Sequence, residues 1–198
     1  MYVPEHFSAP SEAALTDLIR THAFGLIVTP DLQATHIPFL LDETGEGLVL
    51  RGHVARANTH WQAFDGANTA LAVFQGPQGY ISPSWGDCAK LVPTWNYIAV
   101  HASGRPRIVE EGPKAASLLI EMTQSQEKGR PAPWSTDDLA VGMVDRLMTA
   151  LVVFEMPVDR LEGKWKLSQN RSAEDRAAFT SAVAGEGNAA LSVAMKLS

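Results

Sequence analysis

The residues best suited to chemistry fall in three stretches of the chain. The first, Arg51-Gly52-His53-Val54-Ala55-Arg56-Ala57-Asn58, joins the end of an apolar run to a segment with helical spacing. Two arginines, a histidine, a glycine that allows close backbone approach and the free amides of a helix start together suit an anion such as a phosphate monoester. The same stretch reads equally well as a strand-to-helix corner carrying surface arginines. The second runs from Gly79-Tyr80-Ile81-Ser82-Pro83-Ser84-Trp85 through Lys90 to Val92-Pro93-Thr94-Trp95-Asn96-Tyr97. Flat aromatic faces alternate there with hydroxyl and amide groups, the mixture that a flavin or another planar heterocycle needs, although such rings more often pack into cores. The third is Leu161-Glu162-Gly163-Lys164-Trp165-Lys166-Leu167-Ser168-Gln169-Asn170. Strand spacing puts Lys164, Lys166, Ser168 and Asn170 on one face and Trp165, Leu167 and Gln169 on the other. On a solvated strand those donors serve solubility; beside a flavin's pyrimidine edge, lysine would stabilise the negative charge that reduction places there.

Other constellations are weak. His6, His22, His36, His53, His60 and His101 show no metal-ligand spacing, and no nucleophile elbow, phosphate-binding loop or dinucleotide fingerprint occurs. Cys88 is the single cysteine, so no internal disulfide can form, and only Lys90 lies near enough in sequence to activate it as a nucleophile.

These stretches need a scaffold. Ser11 is placed to cap a helix running to about His22, with Leu15, Leu18 and Ile19 on its apolar face. Residues 23–30, 35–43 and 47–54 read as antiparallel strands, with a hairpin turn at Asp42-Glu43-Thr44-Gly45 in which Gly45 takes positive φ. Residues 55–64 switch to helical spacing, and 68–77 return to strand before punctuation at Gly76-Pro77 and Ser82-Pro83. The stretch 94–109 is the longest strand-like one, bent or turned at Ser103-Gly104-Arg105-Pro106. Helices are expected near 114–128 and 136–148, a strand at 150–169, and a terminal helix from Ser172. Residues 1–184 are read as a single domain and 185–198 as a loosely held tail. Several short strands with peripheral helices and no strict strand–helix alternation favour a mainly β, α+β antiparallel barrel over a doubly wound sheet.

The chain has 198 residues, 45% hydrophobic, enough for one sizeable core. No segment reaches the roughly 18 uncharged apolar residues of a membrane helix, and the single cysteine fits reducing conditions, so a cytoplasmic location without membrane contact is expected. A net charge of −6 opposes binding to a polyanion; only Arg160, Lys164, Lys166 and Arg171 gather locally, and a smaller anion suits them better than DNA.

The motifs Met1-Tyr2-Val3-Pro4 with His6-Phe7, His36-Ile37-Pro38-Phe39-Leu40-Leu41, Gly52 to Asn58, Ser82 to Trp85, Val92 to Tyr97 and Arg160 to Asn170, in order from Met1 to about Arg176, closely resemble the PaiB-type family, described as FMN-binding negative transcriptional regulators. The resemblance implies a split β-barrel of the FMN-binding, pyridoxamine-phosphate-oxidase-like type. It also implies a homodimer with FMN in the crevice between subunits, and control of genes such as those for extracellular proteases and sporulation. Carried over residue by residue, His53, Arg56 and Asn58 form the phosphate end, with Ser82, Ser84, Trp85, Thr94, Trp95 and Asn96 flanking the ring. Lys164 and Lys166 go to the ring edge or the phosphate, and His36 and Lys90 complete the cofactor-binding set. The chain departs from the family where Gly86-Asp87-Cys88-Ala89 replaces an aromatic residue and its successors before Lys90, and where Thr59 follows Asn58 in place of proline.

Three functions remain open. In the first, FMN is a structural or sensory group of a transcriptional regulator that acts directly or through a partner, DNA contact being weakly supported. In the second, the barrel is an FMN-dependent oxidoreductase or flavin reductase using NAD(P)H. In the third it holds another planar group such as haem, with His36 or His101 as axial ligand.

Overall fold

The first helix forms for the reason its sequence suggests. In the computed structural model, which describes residues 1–87, 90–110, 112–139 and 142–198, α1 spans Glu12–Thr21 and the Ser11 hydroxyl accepts from Ala14 N at 3.1 Å. That bond satisfies one of the amides a helix start leaves without a partner. Cys88, considered as a nucleophile, lies outside the described residues, as does Ala89.

The strands are β1 (Phe24–Val28), β2 (Ala34–Pro38), β3 (Leu40–Thr44), β4 (Gly47–Ala55), β5 (Ala70–Ile81), β6 (Thr94–Gly104), β7 (Arg107–Ile108) and β8 (Leu151–Lys166). The remaining helices are α2 (Pro113–Glu127), α3 (Met143–Met148), α4 (Ala173–Gly185) and α5 (Ala189–Lys196). The sheet order is β2-β1-β5-β6-β8-β4-β3, with β7 beside β8. The β1–β2, β3–β4, β4–β8 and β7–β8 pairs are antiparallel. The chain divides into two compact units: Met1–His22, Val73–His101 and Leu161–Ser198 form one, Ala23–Ala72 and Ala102–Arg160 the other.

In the unit containing Ala23–Ala72 and Ala102–Arg160, the fully buried Phe154 is the centre of an aromatic cluster. The Phe64 ring lies 4.6 Å from it and the Phe39 ring meets it edge-on at 6.2 Å. A Cβ at Gly52 would come within 3.2 Å of Phe154 and Ile37, so a side chain there would make these neighbours shift by a few tenths of an ångström. On the sheet's other face, Ala115, Leu118 and Met122 of α2 bury against Val153, removing apolar surface from water. Arg51 fastens the same helix by an ion pair to Glu121 at 2.7 Å and pairs as well with Asp42 of β3.

In the other unit, α1 packs over Gly76, where a Cβ would stand 2.8 Å from Leu18 and 3.2 Å from Ile98. Helix α4 is capped by Ser172, which accepts from Asp175 N at 3.1 Å. Leu191 and Met195 of α5 are buried, and Asn188 donates to the Gln78 carbonyl at 2.9 Å.

Several expectations change. The stretch 35–43 is two strands, because Pro38 has no N–H for a ladder and Phe39 N turns inward to the Ala23 carbonyl at 2.8 Å. The positive φ of the β3–β4 hairpin falls on Gly47, at 122°, rather than on Gly45. Gly76-Pro77 does not interrupt β5, since this glycine serves close packing. Segment 103–106 leads into β7, which pairs with β8 and makes no hairpin with β6; β8, at 16 residues, is the longest strand. The helix expected at 136–148 is a 3-10 turn at Thr136–Asp138 and the short α3. The segment read as a loose tail forms α5.

Candidate functional site

The end of β8 and the start of β6 bring the third stretch to the second. The Lys166 ammonium donates to the Thr94 hydroxyl and the Trp95 carbonyl. Burial, then repulsion from Lys164 and Arg171, holds the Lys166 pKa below its ordinary value. Those neighbouring cations make the surroundings favourable to an anion. Trp95, whose backbone carbonyl takes one of these bonds, is 53% exposed and Tyr80 45% exposed, their rings edge-to-face with centroids 6.2 Å apart. A partly buried ammonium and exposed aromatic surface at the same strand segment are groups that suit a flavin ring, which has apolar faces and an electron-accepting edge.

Lys164 occupies a different setting. It is buried, donates to the Tyr2 carbonyl at 3.2 Å, and stands 5.3, 5.6 and 5.9 Å from the ring centroids of Tyr2, Tyr97 and Phe7. Three aromatic faces partly replace its hydration. A β-bridge from Ser8 to Lys164 ties the N-terminal segment to the same strand. The alternation expected along 164–170 ends with β8 at Lys166, because Ser168 turns the chain at φ 68° and both Leu167 and Ser168 are buried.

Asn96 lies on the other side of β6 from Trp95. It is fully buried, accepts from the Ser168 hydroxyl at 3.0 Å and donates to Met195 Sδ at 3.5 Å, so it supports α5 and does not join the exposed rings. Ser82 and Ser84 share a hydroxyl–hydroxyl bond of 2.7 Å at the 3-10 turn Pro83–Trp85 that carries Trp85. Lys90 is exposed and paired with Asp87 at 3.0 Å, a surface contact of small energetic weight. The family departure at Gly86 has a steric reason: a Cβ there would lie 2.5 Å from the Asp175 carboxylate and 2.8 Å from Leu91.

The residues expected at the phosphate end belong to the other unit. Arg51, counted among the cations of that stretch, is committed to Asp42 and Glu121. The expected helix start is a five-residue 3-10 turn, Thr59–Ala63, whose His60 amide is already taken by Asn58 Oδ1 at 3.1 Å. The Arg56 guanidinium donates to the carbonyls of Thr149 at 2.9 Å and Leu151 at 3.0 Å. His53 Nδ1 is buried without a hydrogen-bond partner among the described residues, and burial lowers its pKa, keeping the ring neutral. An orphaned ring nitrogen, a guanidinium and the Asn58 amide in one strand-to-turn segment suit a polar ligand group. His36, on β2, is exposed and stacked on Phe24 with centroids 6.0 Å apart. His101, on β6, is half-buried, and burial followed by repulsion from the N-terminal ammonium lowers its pKa despite the attraction of Glu162.

His60, which the sequence marks only by its lack of metal-ligand spacing, is 1% exposed and held between the hydroxyls of Thr29 and Thr35. A histidine inside an apolar-flanked turn, with threonines two strands earlier, was the available signal.

Comparison with known proteins gives a consistent result. Residues 1–160 match the family described as "Putative FMN-binding domain". The protease synthase and sporulation protein PAI 2 of Bacillus subtilis (strain 168) is 33% identical over 178 residues, 88% of this chain and 85% of that protein. The flavocytochrome Anf3 of Azotobacter vinelandii superposes with a TM-score of 0.61 at 13% identity, covering 89% of this chain and 78% of that one. For the FAD and heme binding protein of Mycobacterium smegmatis the TM-score is 0.60 at 16% identity, with 86% and 79% covered. The expected fold class therefore holds, and no helix among the described residues is long and apolar enough to cross a membrane. The chain belongs to the FMN-binding domain family, has the antiparallel flavin split-barrel fold, and takes FMN as its cofactor.

Proposed function

We propose that this chain is an FMN-dependent negative regulator of transcription that works as a cytoplasmic homodimer, with the flavin held where two subunits meet. The observation that carries the reading is the Lys166 ammonium fixed on Thr94 and on the backbone carbonyl of Trp95, a residue whose exposed ring pairs with Tyr80. Bound FMN supplies a ring whose reduction adds negative charge at the pyrimidine edge. Lys166 stabilises that charge and Trp95 and Tyr80 cover an apolar face, while the phosphate is assigned, from the family resemblance, to His53, Arg56 and Asn58 of either subunit. Affinity for the flavin thus depends on its redox state, which is the property a sensor requires.

The regulatory part of the reading is supported by the similarity to a protein named for protease synthesis and sporulation. A net charge of −6 favours action through a protein partner over broad electrostatic attachment to DNA. The test combines sedimentation of the FMN-loaded protein, repression measured in cells lacking the gene, and mixing with NADPH. A dimer, derepression on deletion and no NADPH turnover without added reductase are expected. Rapid turnover by the protein alone would replace the regulator with a flavin reductase, and an intact monomeric FMN complex would reject the shared site.

A further inference from the structure

We infer that His60, acting through Thr35, is the positioning residue that sets the Asn58 amide, and with it the Arg56–Asn58 turn, for the phosphate of FMN. The inference rests on the proposed placement of the phosphate at that turn.

The hydrogen bonds run in one direction. Thr29 Oγ1 donates to Asp31 Oδ1 at 2.6 Å, and a hydroxyl has a single proton. Its 2.7 Å contact with His60 Nε2 must therefore use the proton on Nε2. The ring is neutral, since burial lowers its pKa more than Asp31 raises it, so Nδ1 is an acceptor. Thr35 Oγ1 then donates to Nδ1 across 2.8 Å and accepts from Asn58 Nδ2 at 3.2 Å. Asn58 Oδ1 accepts from His60 N, which fixes the amide's orientation. Asn58 to Thr35 to His60 to Thr29 to Asp31 is one polarised chain, with its negative end on a carboxylate. Hydrogen bonds of this kind, buried between His60 and Thr29 and partly buried elsewhere, restrict a side chain to one geometry more than they add net stability.

The rest of the turn is held as well. Arg56 N donates to the Ala150 carbonyl at 2.8 Å, Asn58 N to the Ala55 carbonyl at 2.9 Å, and Trp61 Nε1 to the Arg56 carbonyl at 3.0 Å. With the backbone fixed, the Asn58 N–H groups are aimed jointly by the His60 N bond to Oδ1 and by Thr35, whose hydroxyl is in turn set by the His60 ring. One N–H of the Asn58 amide goes to Thr35, leaving the second for an acceptor such as a phosphate oxygen.

The test compares dissociation constants for FMN and riboflavin, which differ only in the phosphate, in Thr35→Val, Thr35→Ser, His60→Gln and Arg56→Ala. Circular dichroism and thermal unfolding verify that each variant folds. In Thr35→Val, FMN is expected to bind about tenfold more weakly while riboflavin changes less than about twofold, and Thr35→Ser restores the wild-type ratio. His60→Gln should resemble Thr35→Val, and Arg56→Ala should lose the phosphate preference independently. If Arg56→Ala loses it while Thr35→Val and His60→Gln keep it, or lose both ligands equally, the positioning role is overturned and the site reading stands. If Arg56→Ala also keeps the full FMN preference, the phosphate lies elsewhere and both fail.

Discussion

Lys164 donates to the backbone carbonyl of Tyr2 at 3.2 Å while its ammonium stands 5.3 Å from the centroid of that residue's ring. One side chain thus grips both the main chain and the aromatic face of the N-terminal segment. Lys164→Met keeps most of the volume but leaves the Tyr2 carbonyl without its donor, and a loss of about 1–3 kcal/mol in unfolding free energy is expected. Urea denaturation measures it, and hydrogen exchange should show residues 1–8 opening first.

Gly104 admits no side chain. A Cβ there would lie 2.0 Å from the Pro157 carbonyl oxygen, a backbone atom that cannot swing aside. Gly104→Ala is expected to destabilise by about 3 kcal/mol or more, beyond ordinary overpacking. Phe154→Ala, which empties the centre of the aromatic cluster, should cost about 3–5 kcal/mol. Both are read from thermal unfolding, and an unchanged midpoint for either would contradict the packing described.

His53 and His60 have pKa values pushed below 6.5, in each case chiefly by burial. The unfolded chain therefore binds protons that the folded one refuses. The stability these rings contribute is fully present above 6.5 and is lost as pH falls through their lower folded-state values. Asp31, held at about 2 mainly by the Thr29 hydroxyl and the Gln33 side chain, adds a loss in the same direction below its ordinary 3.8. Unfolding midpoints measured from neutral to acid pH should fall, and His60→Gln should flatten the upper part of that slope.

Much of the scaffold was legible because it follows local rules. Ser11 and Ser172 start helices where a hydroxyl can reach a free amide, and the apolar runs at 47–54 and 150–169 became β4 and β8. What escaped depends on tertiary contact. Gly76 looked like punctuation, and only the packed Leu18 and Ile98 show why it is a strand residue. Period-two counting put Lys164, Lys166 and Ser168 on one face, but the chain leaves the strand at Lys166. At the site, Thr94, Trp95 and Lys166 were named from their chemistry and do meet, whereas Asn96 faces inward to Ser168 and Met195. The His60 relay was invisible because its members are separated by as many as 31 residues.

Lys166 should matter more to reduced than to oxidised FMN. In Lys166→Gln the oxidised flavin is expected to dissociate only a few-fold more readily, while the reduced form weakens about tenfold or more and the reduction potential falls. Lys166→Arg should retain most of the difference. Because burial and neighbouring cations lower the Lys166 pKa, tight binding of reduced flavin should fade at an alkaline pH below 10.5 in the wild type.

The most direct test is the crystal structure of the FMN-loaded protein, and the measurement is the distance from Lys166 Nζ to the flavin's pyrimidine edge. Hydrogen-bonding contact there, with Trp95 or Tyr80 against the ring, is the expected result. Flavin bound away from Thr94, Trp95 and Lys166 would contradict the assignment of this cluster as the ring site.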